Sequence, residues 1–174
     1  MVSDTNRHMP IDHAARVATI RRLLSVGGHG CDALLFIDLV DVRWLTGFTG
    51  SNGWAVLTAD DLILGTDGRY GDRARAETAT AGATVCAETT RAALHDRLVA
   101  SLRRSSRVAL DPSTTSQAEW ARLSEELQLE PVASIVAKQR QIKDDAEIER
   151  MAAAAEAADA ALAEVEPMLF ATMD

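Results

Sequence analysis

The stretch "DALLFID" (residues 32–38) constrains this chain more than any other. It is a continuous apolar run of strand length, without the alternation of a strand that faces water on one side. Such a run suits a strand buried on both faces, and a strand of that kind needs helices above and below it. The segments around it supply them. Residues 12–27 carry Val17, Ile20 and Leu24 at helical spacing and end in "GGHG". "RAALHDRLVASL" places Leu94, Leu98 and Leu102 on one stripe, and "SQAEWARLSEEL" opens with Ser116 and Glu119, a capping-box pair. Further strands are expected at "GWAVLT" and "LILGT", at "ATVCAE" (83–88), at "RVALD" and at "LEPVAS". The first two are joined only by "ADD", which predicts a tight antiparallel hairpin over 53–66. "DVRWLTG" reads as one short helical turn, and "DGRYGDRARAE" as the start of a helix. Strands that alternate with helices define an α/β domain. About six strands are expected, and the hairpin makes their sheet mixed rather than purely parallel.

The composition changes after residue 140. "KDDAEIERMAAAAEAADAALAEVEPMLF" is rich in alanine and strongly helical, with Asp144 and Glu147 as a second N-cap signal. Ile148, Met151, Ala155, Ala158, Leu162, Val165 and Leu169 recur at spacings of three and four and form one long apolar seam. Pro167 is expected to end that helix near residue 165. The seam needs a cover: folding back on its own sheet, fraying and pairing with a second copy of the chain are the open outcomes, and pairing is the expected one.

The net charge of −8 argues against a nucleic-acid partner, because such binding gains most from a basic face. The densest basic cluster, Arg103, Arg104 and Arg107, has no aromatic residue between its members and reads as a solvated helix end. No apolar run approaches the roughly 20 residues of a membrane span, and residues 1–11 lack the apolar core of a signal peptide. They read as a disordered leader. Cys31 and Cys86 lie far apart beside apolar residues, as buried free thiols of a reducing compartment would. A cytoplasmic location is expected.

"TGFTGSNG" (46–53) has glycines at 47, 50 and 53. A P-loop needs G-x-x-x-x-G-K-[ST], and the dinucleotide fingerprint needs G-x-G-x-x-G before a helix. Here the spacing is G-x-x-G-x-x-G, a strand follows and no lysine is near. A turn is the better reading than a phosphate site. His8, His13, His29 and His95 are scattered among different elements, and Asp60 with Asp61 sits in a hairpin turn. Neither pattern brings metal ligands to one point. Ser51 lacks the G-x-S-x-G setting of a nucleophile elbow. The spacing therefore offers no catalytic residues and no metal site within the chain.

"DALLFIDLVDVRWLTGFTGSNGWAVLT", "LILGTDGRYGDRARAE" and "KQRQIKDDAEIERMAAAAEAADAAL" follow one another in an order that resembles the N-terminal domain of the creatinase/aminopeptidase P family, which includes the Xaa-Pro aminopeptidases and Xaa-Pro dipeptidases. "RWLTGFTGS" and "TDGRY" carry the resemblance in combination, and it extends over about residues 12–170. It implies a creatinase-like α/β domain at 12–140, with 141–174 as linker and first helix of a catalytic, pita-bread-fold domain. That further domain would hold two divalent ions (Mn, Co or Zn) on two Asp, one His and two Glu. None of those ligand motifs is present here, so the chain is expected to be an inactive fragment. The implied role is oligomerisation and gating of peptide substrates for a metal-dependent enzyme that hydrolyses bonds before proline. The implied partners are the catalytic domain and further copies of the chain. The segment "TDGRY" would face the cleft. Arg69 is then the candidate for a substrate carboxylate or carbonyl, or else the partner of a local acid, Asp67 or Asp72. Tyr70 and Phe48 are candidates for the cleft wall, or else core residues. A stand-alone, non-catalytic binding module and the N-terminal domain of a creatinase-type amidinohydrolase are the alternatives.

Overall fold

In the computed structural model, which describes residues 9–26, 30–133 and 135–170, the run at 32–38 forms β1 (Ala33–Phe36), and all four of its residues are buried. The helix before it, α1 (His13–Val26), buries Val17, Ile20 and Leu24. The chain continues through α2 (Leu39–Thr46), β2 (Gly53–Thr58), β3 (Leu62–Asp67), α3 (Gly71–Glu77), β4 (Thr84–Glu88), α4 (Arg91–Leu102), β5 (Val108–Leu110), α5 (Gln117–Ser124), β6 (Leu129–Pro131) and α6 (Ile135–Gln141) to α7 (Asp145–Phe170).

The six strands form one sheet in the order β4-β3-β2-β1-β5-β6. β2 pairs antiparallel with both β1 and β3, and the other three pairings are parallel. β2 is thus the single reversed strand. The hairpin turn that reverses it is closed by Thr58 and Asp61, whose amides bond to Asp61 O and to Thr58 Oγ1 at 2.9 Å each.

Alternation along β1 splits the core into two layers. Leu34 and Phe36 join Val17, Ile20, Val42 and Leu45 on one face of the sheet. Ala33 and Leu35 join Leu94, Leu98, Leu102 and Leu123 on the other. This is the two-sided burial that an uninterrupted apolar run demands.

The described residues divide into two units. Asp12–Arg140 contains the whole sheet, and residues 9–11 and 141–170 make up the other. In the second unit, α7 opens on a reciprocal cap. The Glu147 amide donates to Asp144 Oδ1 (2.8 Å), and the Asp144 amide donates to Glu147 Oε2 (3.1 Å). Met9 is tied to this helix through Glu149 and Arg150, at 2.8 Å each. Ile148, Met151, Leu162 and Val165 are exposed. The side chain of Leu169 lies outside the described residues.

Several sequence expectations need correction. α7 does not stop at residue 165 but runs through Pro167 to Phe170. Proline removes one amide donor, and on an exposed helix end water can serve the carbonyl left behind. α2 is eight residues rather than one turn, closed by Gly47 at φ 84°, whose amide returns to Arg43 O at 2.8 Å. "DGRY" starts with a 3-10 turn at Gly68–Tyr70 before α3 begins. α6 has no counterpart among the sequence expectations. At Ser116 only half of the capping box forms. Its hydroxyl accepts from the Glu119 amide (3.1 Å), while the Glu119 carboxylate turns to Arg122 instead. Neither cysteine is in a disulfide, and both are half-buried rather than buried. Arg103 caps the end of α4, whereas Arg107 leaves the basic cluster to pair with Glu130 at 2.6 Å.

Candidate functional site at the carboxyl edge of the sheet

Every strand except β2 ends at one edge of the sheet, and β2 begins there. The loop "TGFTGSNG" enters β2 at this edge, and "TDGRY" leaves β3 beside it, because Gly53 pairs with Thr66. Sheet register therefore brings the two motifs together.

Side chains then cross-brace them. Ser51 Oγ and Tyr70 Oη are 2.8 Å apart. Asn52 Nδ2 donates to Asp67 Oδ2 (3.0 Å), and Thr66 Oγ1 donates to the Asn52 carbonyl (2.6 Å). Arg69 clasps Asp67 through two parallel bonds, Nε to Oδ1 (3.0 Å) and Nη2 to Oδ2 (2.9 Å). Its own amide donates to the same carboxylate at 3.1 Å. Arg69 holds the Asp67 carboxyl well below the usual carboxylate range, with Asn52 adding to the effect. The Ser51 hydrogen bond lowers the Tyr70 phenol.

Asp67, not Asp72, is thus the local partner of Arg69, since Asp72 pairs with Arg75 at 2.9 Å. The pairing does not bury the guanidinium, whose side chain keeps 72% exposure. Two N–H groups are committed to Asp67, and the cation lies 5.3 Å from the centre of the Tyr70 ring. The remaining donors are fixed in direction yet open to solvent. Phe48 sits differently. It is 1% exposed, within the core, and meets Tyr70 edge-on with ring centres 6.0 Å apart. It supports the Tyr70 ring from below.

A second cluster anchors the glycine loop, and the sequence reading missed it. Glu77 accepts from the Thr49 amide (2.7 Å), from Thr49 Oγ1 (2.6 Å) and from Arg73 Nε (2.9 Å), and Arg73 also donates to Thr49 Oγ1. Burial alone would raise the Glu77 carboxyl, but these hydrogen bonds outweigh it and hold it below its ordinary value. Arg73 and Glu77 stand four apart on α3, and that spacing was the available signal.

The glycines have two distinct roles. Gly47 takes the left-handed conformation that ends α2. Gly50 and Gly53 have ordinary backbones and are small because Phe48 lies against them. A Cβ at Gly50 would fall inside the Phe48 ring, and one at Gly53 would come within 2.9 Å of Gly65 O.

Among the described residues no three His, Cys, Asp or Glu side chains gather as a metal site. His13 packs at the end of α2, with its Nδ1 3.2 Å from Trp44 O, and His95 pairs with Glu126 at 3.0 Å. His8 and His29 lie outside the described residues. The described residues do not fit the two-metal centre that the sequence resemblance attaches to the catalytic domain. No helix among them is long and apolar enough to cross a membrane.

A mixed six-stranded sheet with one reversed strand, helices on both faces and a braced pair of loops at its carboxyl edge defines the class of domain. Residues 16–142 match the model of the Creatinase/Prolidase N-terminal domain, and the chain belongs to that family. Its fold is similar to that of an Xaa-Pro dipeptidase from Bacillus anthracis, with a TM-score of 0.81 at 21% identity over 90% of this chain and 43% of the dipeptidase. An X-Pro aminopeptidase from Thermotoga maritima MSB8 gives a TM-score of 0.71 at 23% identity over 84% of this chain and 42% of that one. The N-terminal domain of the cytoplasmic peptidase PepQ from Mycobacterium tuberculosis H37Rv gives 0.61 at 25% identity, over 72% of this chain and 98% of that domain. An uncharacterized peptidase, YqhT, of Bacillus subtilis (strain 168) is 41% identical over 51 residues, 29% of this chain and 14% of YqhT. The chain spans less than half the length of the dipeptidase and the aminopeptidase that it resembles.

Proposed function

We propose that this chain is the substrate-gating and oligomerisation domain of a metal-dependent, cytoplasmic Xaa-Pro peptidase, and that it has no hydrolytic activity by itself. The observation that carries the reading is Arg69, a guanidinium fixed by Asp67 and yet exposed at 72%. A cation held this way loses little freedom on meeting a carboxylate or carbonyl, so its hydrogen bonds go into orienting the substrate. Tyr70 and the buried Phe48 form the wall behind it. The family of the chain and its likeness in fold to two Xaa-Pro peptidases support this substrate class. The divalent ions would be held by the catalytic domain.

The test is Arg69→Ala in an intact enzyme that contains this domain. kcat/KM for an Xaa-Pro peptide is expected to fall roughly ten- to hundredfold, the loss of hydrogen bonds to a charged group. Thermal stability is expected to stay within a degree or two, because an exposed ion pair contributes little. A fall in melting temperature with unchanged kinetics would make Arg69 a structural residue. The isolated chain is expected to bind no stoichiometric Mn, Co or Zn and to cleave no Xaa-Pro dipeptide.

A further inference from the structure

Helix α3 begins on the residue after Tyr70 and ends on Glu77. Its start therefore adjoins the turn that carries Arg69 and Tyr70, while its end grips the glycine loop. Glu77 takes the Thr49 amide on one carboxylate oxygen and the Thr49 hydroxyl on the other, at 2.7 and 2.6 Å. One residue of the loop is thereby held by backbone and side chain at once. Hydrogen bonds to an ionised group are about twice as strong as neutral ones. The Glu77 side chain is only 24% exposed, so water competes in part. Arg73 closes the cluster by donating to Glu77 and to Thr49.

The contacts that reach the Arg69 turn are weaker in kind. Ser51 and Asn52 follow Thr49 by two and three residues, and both are exposed. Ser51 meets Tyr70 Oη, and Asn52 meets Asp67, the residue that clasps Arg69. Hydrogen bonds open to water gain little and do not fix the loop that carries them. The loop has to bring these side chains to their partners. It has little slack, because Phe48 packs against Gly50 and Gly53 while Glu77 holds the intervening Thr49.

We propose that Glu77 is a positioning residue for the face formed by Arg69 and Tyr70. By gripping Thr49 it places Ser51 and Asn52, and these place the Tyr70 phenol and the Asp67 carboxylate. For its effect on catalysis the assignment rests on the peptidase reading of Arg69. The placement itself is testable without it.

Tyr70 is the only tyrosine of the chain, so ultraviolet titration of tyrosinate reads its contact with Ser51. In the full chain, Ser51→Ala is expected to raise the midpoint by about half a pH unit, toward the ordinary value near 10. Glu77→Ala and Thr49→Val should reproduce most of that rise. Thr49→Ser, which keeps the hydroxyl, and Arg75→Gln, on α3 but paired with Asp72, should titrate as the wild type does. Removing the Glu77 charge would by itself lower the phenol, so a rise reports geometry and not charge. Should Glu77→Ala fail to fold, Thr49→Val carries the test. A midpoint that Thr49→Val leaves in place, or that Ser51→Ala does not move, would overturn the proposal. In an intact enzyme containing this domain, Glu77→Ala should lower kcat/KM for an Xaa-Pro peptide about three- to tenfold. It should cause little further loss when added to Arg69→Ala. If Arg69→Ala is without kinetic effect, the peptidase reading fails and the phenol titration still judges the placement. If Arg69→Ala acts and Glu77→Ala does not, the positioning role alone fails.

Discussion

A methyl group at Gly50 would have to share space with the Phe48 ring, and Phe48 cannot retreat because it is 1% exposed and held in the core. Gly50→Ala is therefore expected to cost about 1–3 kcal/mol, the usual range for overpacking. It should lower the melting temperature by several degrees and disturb the Phe48–Tyr70 contact. An unchanged melting temperature would mean that the loop shifts freely, and that the brace between the two motifs is weaker than its hydrogen bonds imply. The sequence displayed the glycines but not their purpose. All three read as turn formers, whereas only Gly47 has a positive φ. The other two answer to an aromatic ring that packing places over them, and local pattern carries no trace of such a contact. Arg69 shows the same division. Both of its candidate partners were visible at short range, but the choice of Asp67 rests on the backbone that folds its carboxylate over the 3-10 turn.

Among the elements, α7 was the most legible and carries the sharpest expectation. Its alanine content and its cap specify the helix locally. Its seam is exposed, with Leu162 at 60%. Ile148, Met151, Leu162 and Val165 would each gain about 1.5–3 kcal/mol on burial, more than helix propensity alone supplies. Ala155 and Ala158 between them permit close approach of a second helix. The expected result is a dimer of this chain through α7. Leu162→Lys should convert it to a monomer by light scattering, with the melting of the α/β unit unchanged. A wild-type chain that stays monomeric at high concentration, with α7 formed, would refute the pairing. The short elements were harder to read. α6 is seven residues with one buried side chain, Val136, and so has no apolar stripe to reveal it.

At the scale of the whole molecule, the titratable groups with shifted pKa values set the response to acid. Asp32 and Glu77 titrate below their ordinary values because hydrogen bonds from Ser106 and Thr49, respectively, outweigh the effect of burial; the exposed Asp67–Arg69 pair adds little. A lowered folded-state pKa contributes stability that is complete above the unfolded-state value near 4. That stability is lost as the pH falls through the lowered value. Asp41 has the opposite sign. Burial and the neighbouring Asp38 raise its carboxyl, despite the 3.1 Å bond from Arg140. Its contribution is present at low pH and lost as the pH rises through the raised value. Burial lowers the pKa of His13, so its contribution is complete above the unfolded-state value near 6.5 and is lost as the pH falls below it. The lowered carboxylates and His13 against Asp41 predict a melting temperature that begins to decline below about pH 6 and declines further below about pH 4. Glu77→Gln should flatten part of that decline. A melting temperature that rises steadily as the pH falls from 5 to 3 would show that Asp41 dominates.

The sequence by itself determined the α/β class, the hairpin that reverses β2, the order of the strands along the chain and the long C-terminal helix. Each follows from a signal within one segment or between adjacent ones: an apolar run, a three-residue turn, a helical stripe, a cap. The tertiary structure alone decided that Ser51 meets Tyr70 and that Asn52 meets Asp67, contacts across 19 and 15 residues. It likewise decided that Glu77 meets Thr49, a contact across 28 residues. Those meetings depend on which strands lie side by side and in what register. Register is fixed by packing both faces of the sheet at once, and no single segment encodes it.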